Sequence, residues 1–108
     1  MVSLDNINKL CLKIANVYDT EKIILFGSYA KGTATEDSDI DLLVVADIDL
    51  PPAKRYGAVR KLADDIPAAF DLIVRTRSEY NRWKSVLNNI VYFADKYGKV
   101  IYDRAAQR

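Results

Sequence analysis

Asp39 and Asp41 stand one residue apart and run directly into the apolar sequence Leu42-Leu43-Val44-Val45. Side chains alternate along a strand, so a strand through this stretch puts both carboxylates on one face and Ile40 and Leu42 on the other. Two close anions repel, and burying either without a partner is costly. No Lys or Arg lies between Gly32 and Ala53, whereas Glu36, Asp37, Asp39, Asp41, Asp47 and Asp49 all do. A divalent cation would resolve the conflict. Hard oxygen donors suit Mg²⁺, which keeps several waters and takes substrate phosphates as its remaining ligands.

Complementary chemistry precedes this pair. The apolar run Ile23 to Phe26 reads as a strand ending at Gly27-Ser28, with Tyr29-Ala30-Lys31 as a short helical turn before Gly32. Gly27 allows a phosphate close to the backbone, Ser28 offers a hydroxyl, and free N–H groups at a helix start favour an anion. The spacing joins an anion site to a cation site.

Together Gly27-Ser28, Ala30 and Gly32, then Ser38-Asp39-Ile40-Asp41-Leu42 and Val44, resemble the GSxAxG…SDxDLxV signature of the nucleotidyltransferase superfamily that includes DNA polymerase beta. In length the chain is most similar to the minimal nucleotidyltransferases, whose members are often antitoxins encoded beside a HEPN-domain toxin. The resemblance implies an α/β fold, a small mixed β-sheet flanked by helices. It also implies a third carboxylate on a neighbouring strand, and Asp71 in AAFDLIVRT stands in that place. The implied metal set is Asp39, Asp41 and Asp71 around two Mg²⁺ ions. Gly27, Ser28, Lys31 and Ser38 form the implied nucleotide-binding set, with Lys31 where many relatives carry Arg. That change keeps the charge and alters the phosphate geometry. The expected reaction transfers AMP from ATP to a hydroxyl, most plausibly a tyrosine of a HEPN-type toxin partner. A rival reading is a non-catalytic antitoxin acting by occlusion. A third, a nucleic-acid end-tailing enzyme, requires a second domain or basic groove not found in this sequence.

Composition narrows these classes. With 108 residues, half of them apolar, the chain is expected to form one domain over 1–108, with a real core and no second substrate-binding domain. A formal net charge of +1 gives no bulk attraction to nucleic acid, so no direct nucleic-acid partner is expected. From Arg75 onward there are eight Lys or Arg against three Asp or Glu, which suits either a basic wall facing a bound triphosphate or a solvated surface. Cys11 is the only cysteine and there is no His, so neither a disulfide nor a zinc site is expected and the cytoplasm is the natural compartment. No apolar run approaches a membrane span, and the acidic start with Asp5 does not read as a signal peptide. Homo- and hetero-oligomers both remain compatible with the sequence.

The elements that must hold the chemistry follow from periodicity. Ile7, Leu10, Cys11, Ile14, Val17 and Tyr18 predict an amphipathic helix with Ser3 as N-cap, and Cys11 reads as a core thiol within it. Lys22 to Phe26 is the first expected strand and Ser38 to Val45 the second, central and covered on both faces. Ser38 reads foremost as a residue fixing the loop ahead of Asp39. Ala46 to Leu50 is expected as a loop carrying solvated Asp47 and Asp49. Pro51-Pro52 open a helix with Tyr56, Val59, Leu62, Ala63 and Ile66 buried, ended by Pro67, and Phe70 to Val74 is the third strand. Arg75 and Arg77 suit phosphate contacts and a strand end equally. Trp83, Val86, Leu87, Ile90, Val91, Ala94 and Tyr97 predict a buried helical stripe, in one helix or two broken near Ser85 or Asn88-Asn89, with Gly98 as C-cap. Lys99 to Tyr102 reads as a short edge strand and Asp103 to Arg108 as a frayed tail. Of the seven tyrosines, an exposed subset would suit a protein interface.

Overall fold

The structure is a computed structural model that describes residues 1–107. Four strands form one mixed sheet in the order β3-β2-β1-β4, where β1 is Asp19–Phe26, β2 Ile40–Asp47, β3 Phe70–Arg75 and β4 Lys99–Asp103. β1 pairs antiparallel with both β2 and β4, while β2 and β3 are parallel. The expected small mixed sheet flanked by helices is therefore present.

Helix α1, Leu4–Val17, begins where the Ser3 hydroxyl accepts the Asn6 N–H at 3.2 Å. Ile7, Leu10, Cys11 and Ile14 are its buried stripe, while Val17, expected there too, is exposed. They pack on the face formed by Ile23, Leu25, Leu42 and Val44, which also receives Val59 and Ala63 of helix α3, Pro52–Arg60, and the turn after it. The alternate residues Ile24, Leu43 and Val45 meet Tyr80, Val91 and Ala94 of helices α4, Arg77–Trp83, and α5, Ile90–Tyr97. Leu42 to Val45 are wholly inaccessible, as a central strand covered on both faces requires.

Several boundaries differ from those read in the sequence. β1 starts at Asp19 and β2 continues through Asp47, because Asp19 and Asp47 lie in register and share Arg77 as a counter-ion. In α3 the buried positions are Arg55 and Val59 rather than Tyr56, which is exposed. Arg55 donates to Glu79 at 2.8 Å and to the Leu50 carbonyl, so an ion pair tethers α3 to the start of α4. Glu79 also closes a capping box with Thr76.

The stripe after Ser78 divides into two helices. Asn88 takes the left-handed conformation at φ 66°, and Asn89 caps α5 by accepting the Val91 and Tyr92 N–H groups. This turn resets the helical phase, leaving Val91 and Ala94 buried but Trp83, Val86, Leu87, Ile90 and Tyr97 exposed. Gly98 caps α5 in extended conformation, not left-handed. Its glycine is required instead by close approach, since a Cβ there would lie 2.5 Å from the Ala94 carbonyl oxygen and 2.8 Å from that of Leu25 on β1. Arg104–Gln107 form a short 3₁₀ turn, and Arg108 lies outside the described residues. Among the described residues no helix is long and apolar enough to cross a membrane.

Candidate active site

The sheet register builds the site. Phe26 pairs with Asp41, and Asp41 with Asp71, so these three residues form one row across β1, β2 and β3. By strand alternation Asp41 and Asp71 share the face of Leu43 and Ile73, the side covered by α4 and α5. β2 begins at Ile40, whose N–H bonds to the Ala69 carbonyl, so Asp39 sits exposed in the approach to the strand rather than within it. The shared face of Asp39 and Asp41 was inferred from alternation within a strand; Asp39 instead precedes the strand, near enough for its charge to act on Asp41.

The three acids sense one another. The Asp41 carboxyl is pushed up from 3.8 to about 6, first by burial, then by the charges of Asp71 and Asp39, and by a hydrogen bond with Asp71. None of the ion pairs among the described residues involves Asp39, Asp41 or Asp71. The sequence-level expectation of uncompensated carboxylates therefore describes the folded molecule as well.

Among the described residues no three His, Cys, Asp or Glu side chains are gathered into a ready-made metal cage. The donor set still fits a hard divalent ion that completes its shell with substrate phosphates, because all three donors are carboxylates and none is neutralised by the protein.

Gly27 sits against this row. Its φ is +70°, and a Cβ there would lie 2.0 Å from Asp41 Oδ2, so only glycine leaves that oxygen in place. Gly27 opens the five-residue helix α2, Gly27–Lys31, whose start carries no side-chain cap, and Gly32 ends it in the left-handed region. Ser28 follows Gly27 in the first turn of this helix. Ser38 accepts the Thr35 N–H at 2.8 Å and clamps the loop that leads to Asp39, the loop-fixing role read in the sequence.

Of the two readings of the C-terminal basic residues, a wall facing the acids is not formed by Arg75, Arg77 or Arg104. Arg77 lies at the opposite end of the sheet, where it contacts Asp19 at 3.1 Å, Glu21 at 3.2 Å and Asp47 at 2.7 Å. Arg104 joins the same group through Asp19, and Arg75 donates to the Val74 carbonyl. Between the two readings of Arg77, the strand end is the one observed. What sequence reasoning missed lies beside Gly27, where a cavity of about 590 Å³ is lined by Phe26, Gly27, Lys31, Phe93 and Tyr97. The i, i+4 spacing of Phe93 and Tyr97 was the available signal, obscured by counting Tyr97 in the core stripe.

A mixed sheet with a Gly-Ser turn at one strand end, facing acids on the next two strands, defines the nucleotidyl-transfer class of α/β domain. The Nucleotidyltransferase domain family matches residues 4–100, and the chain belongs to it. Protein adenylyltransferase MntA of Shewanella oneidensis is 38% identical over 58 residues, 54% of this chain and 42% of that protein. The matched segments span 29%, 54% and 33% of three relatives from Methanocaldococcus jannaschii, so alignment reaches only part of those proteins. The fold is that of a toxin–antitoxin crystal structure with AMP-PNP, with TM-score 0.65 and 23% identity over 93% of this chain and 76% of that one. It is also that of an MNT antitoxin in complex with a tri-AMPylated Shewanella oneidensis HEPN toxin, with TM-score 0.55 and 24% identity over 95% and 71% of the two chains.

Proposed function

We propose that this chain transfers AMP from ATP to a hydroxyl of a partner protein, a HEPN-type toxin whose tyrosine is the acceptor. The observation carrying this reading is the row in which Asp71 and Asp41 stand beside Gly27-Ser28 with no protein cation between them. The fold neighbours that hold AMP-PNP or accompany an AMPylated HEPN toxin support it.

In this reading the Gly27 backbone and the Ser28 hydroxyl hold the β- and γ-phosphates, and Lys31 adds charge at the same turn. Asp39 and Asp41 would hold two Mg²⁺ ions, with Asp71 completing the set on the acceptor side. When bound, the metals supply charge neutralisation for the departing pyrophosphate and polarisation of the attacking oxygen. Asp71, exposed at the outer strand, takes the acceptor proton. The acceptor oxygen then bonds to the α-phosphorus as the bond from that phosphorus to the bridging oxygen breaks, releasing pyrophosphate. Holding both reactants in line is the larger part of the task.

The test is intact-mass spectrometry of the co-expressed partner after incubation with ATP and Mg²⁺. A partner gaining AMP with the wild-type chain and none with Asp39→Asn is the expected result. A partner that gains nothing, yet is inhibited equally by both proteins, establishes occlusion instead. That second reading draws on Trp83, Val86, Leu87 and Ile90, four large apolar side chains left exposed.

A further inference from the structure

We propose that the cavity between β1 and α5 is the base subsite, where the purine ring of the nucleotide stacks on Phe93 and Tyr97. This rests on the nucleotidyltransferase reading above and assigns the part of the substrate that the acids and the Gly27-Ser28 turn leave unplaced.

The acid row has two flanks. Beyond Asp71 the sheet ends at its outer strand, leaving that side to the acceptor. On the other flank the row continues to Phe26, and Phe26 and Gly27 line the cavity together with Lys31, Phe93 and Tyr97. One wall of the cavity is therefore also the phosphate turn. A volume of about 590 Å³ is of small-ligand size. Three aromatic side chains suit a flat ring and not a polyanion, for which Lys31 is the single cation in the lining.

The aromatic pair is held open. Phe93 and Tyr97 are 46% and 62% exposed, with ring centroids 6.2 Å apart and planes inclined by 22°. Rings burying so little of themselves in the core must be positioned by something else. Gly98 supplies it: with no Cβ, the end of α5 rests against Ile24 and the Leu25 carbonyl of β1, which sets Tyr97 beside Phe26 and Gly27. Stacking a base on such rings contributes appreciably to affinity and tolerates differences in hydrogen-bonding pattern, so ring size is the discriminating property.

Calorimetry with Mg²⁺ and three probes, ATP, CTP and inorganic tripolyphosphate, tests the assignment. We expect Tyr97→Ala and Phe93→Ala each to weaken ATP binding roughly five- to hundredfold while leaving tripolyphosphate binding unchanged. Wild type should bind ATP more tightly than CTP, and that difference should disappear in Tyr97→Ala. Leu87→Ala, an exposed apolar residue outside the cavity, should bind ATP as wild type does. Unchanged ATP affinity in both aromatic variants overturns the proposal, and if AMP transfer to the partner is lost at the same time the rings are an acceptor-docking surface. Equal losses for ATP and tripolyphosphate also overturn it, marking a phosphate or folding effect. A wild-type chain that binds neither probe overturns the nucleotidyltransferase reading itself, and the base subsite with it.

Discussion

Replacing Asp41 with Asn removes one charge from a row that has no counter-charge of its own, and the effects on stability and chemistry should oppose each other. Because folding raises the Asp41 pKa to about 6, the folded state favours the protonated form. The resulting stabilisation is complete below about pH 4 and is lost as pH rises through 6. In EDTA at pH 7, Asp41→Asn should therefore unfold at higher denaturant than wild type, and the difference should vanish below pH 4. The displacement corresponds to at most about 3 kcal/mol, and solvent screening of this partly exposed group reduces that to about 1. AMP transfer should meanwhile fall at least ~10²-fold, as expected for loss of an electrostatic group at the transition state. Gly27→Ala acts through the same oxygen. The added Cβ, 2.0 Å from Asp41 Oδ2 at a φ of +70°, should cost about 1 kcal/mol in denaturant melts and swing the carboxylate away, lowering transfer far more than stability.

At the scale of elements, two contacts between distant segments decide where the helices lie. Arg55→Ala leaves Glu79 with only its capping bond to Thr76 and should cost about 1–2 kcal/mol by thermal or chemical unfolding, with AMP transfer by the folded fraction unchanged. Gly98→Ala meets backbone oxygens that cannot rotate aside, so a loss of about 1–3 kcal/mol is expected, together with weaker ATP binding as α5 shifts from β1.

These contacts also mark the limit of what could be read from the chain. Local signals were legible: Ser3 as a cap, the Gly27-Ser28 turn and the apolar continuity of β2; the place of Asp71 beside the pair was implied by the family resemblance. The first strand was read from Lys22 rather than Asp19, and Asp47 was placed in a loop, because the partner of both acids, Arg77, lies 58 and 30 residues further along. After Ser78 a break at Asn88-Asn89 was among the readings, but periodicity carries no measure of the phase change at the left-handed Asn88, which leaves Trp83, Val86, Leu87, Ile90 and Tyr97 exposed. Gly98 was recognised as a cap, but its reason, the backbone of β1, is invisible in sequence.

Over the whole molecule, charge is sorted between the two ends of the sheet. Arg77 binds three carboxylates at one end, and Arg77→Ala should lower stability by roughly 1 kcal/mol, an effect that shrinks as salt is added. At the other end three acids stand outside every ion pair among the described residues, so ATP should bind far more tightly with Mg²⁺ than in EDTA. Equal affinities by calorimetry would count against metal-linked phosphate binding.

The engagement of Arg77 and Arg104 with carboxylates at the far end of the sheet also fixes an order of events. A free nucleotide tetra-anion approaching Asp39, Asp41 and Asp71 meets repulsion that Lys31 at the phosphate turn offsets only in part, while the same nucleotide already carrying magnesium arrives with part of its charge cancelled. Encounter should accordingly be selective before any contact is made. Stopped-flow association of uncomplexed ATP should quicken as ionic strength rises, and that of the magnesium complex should respond much less. The protein would thus sample not the total nucleotide around it but the fraction that has already found its metal.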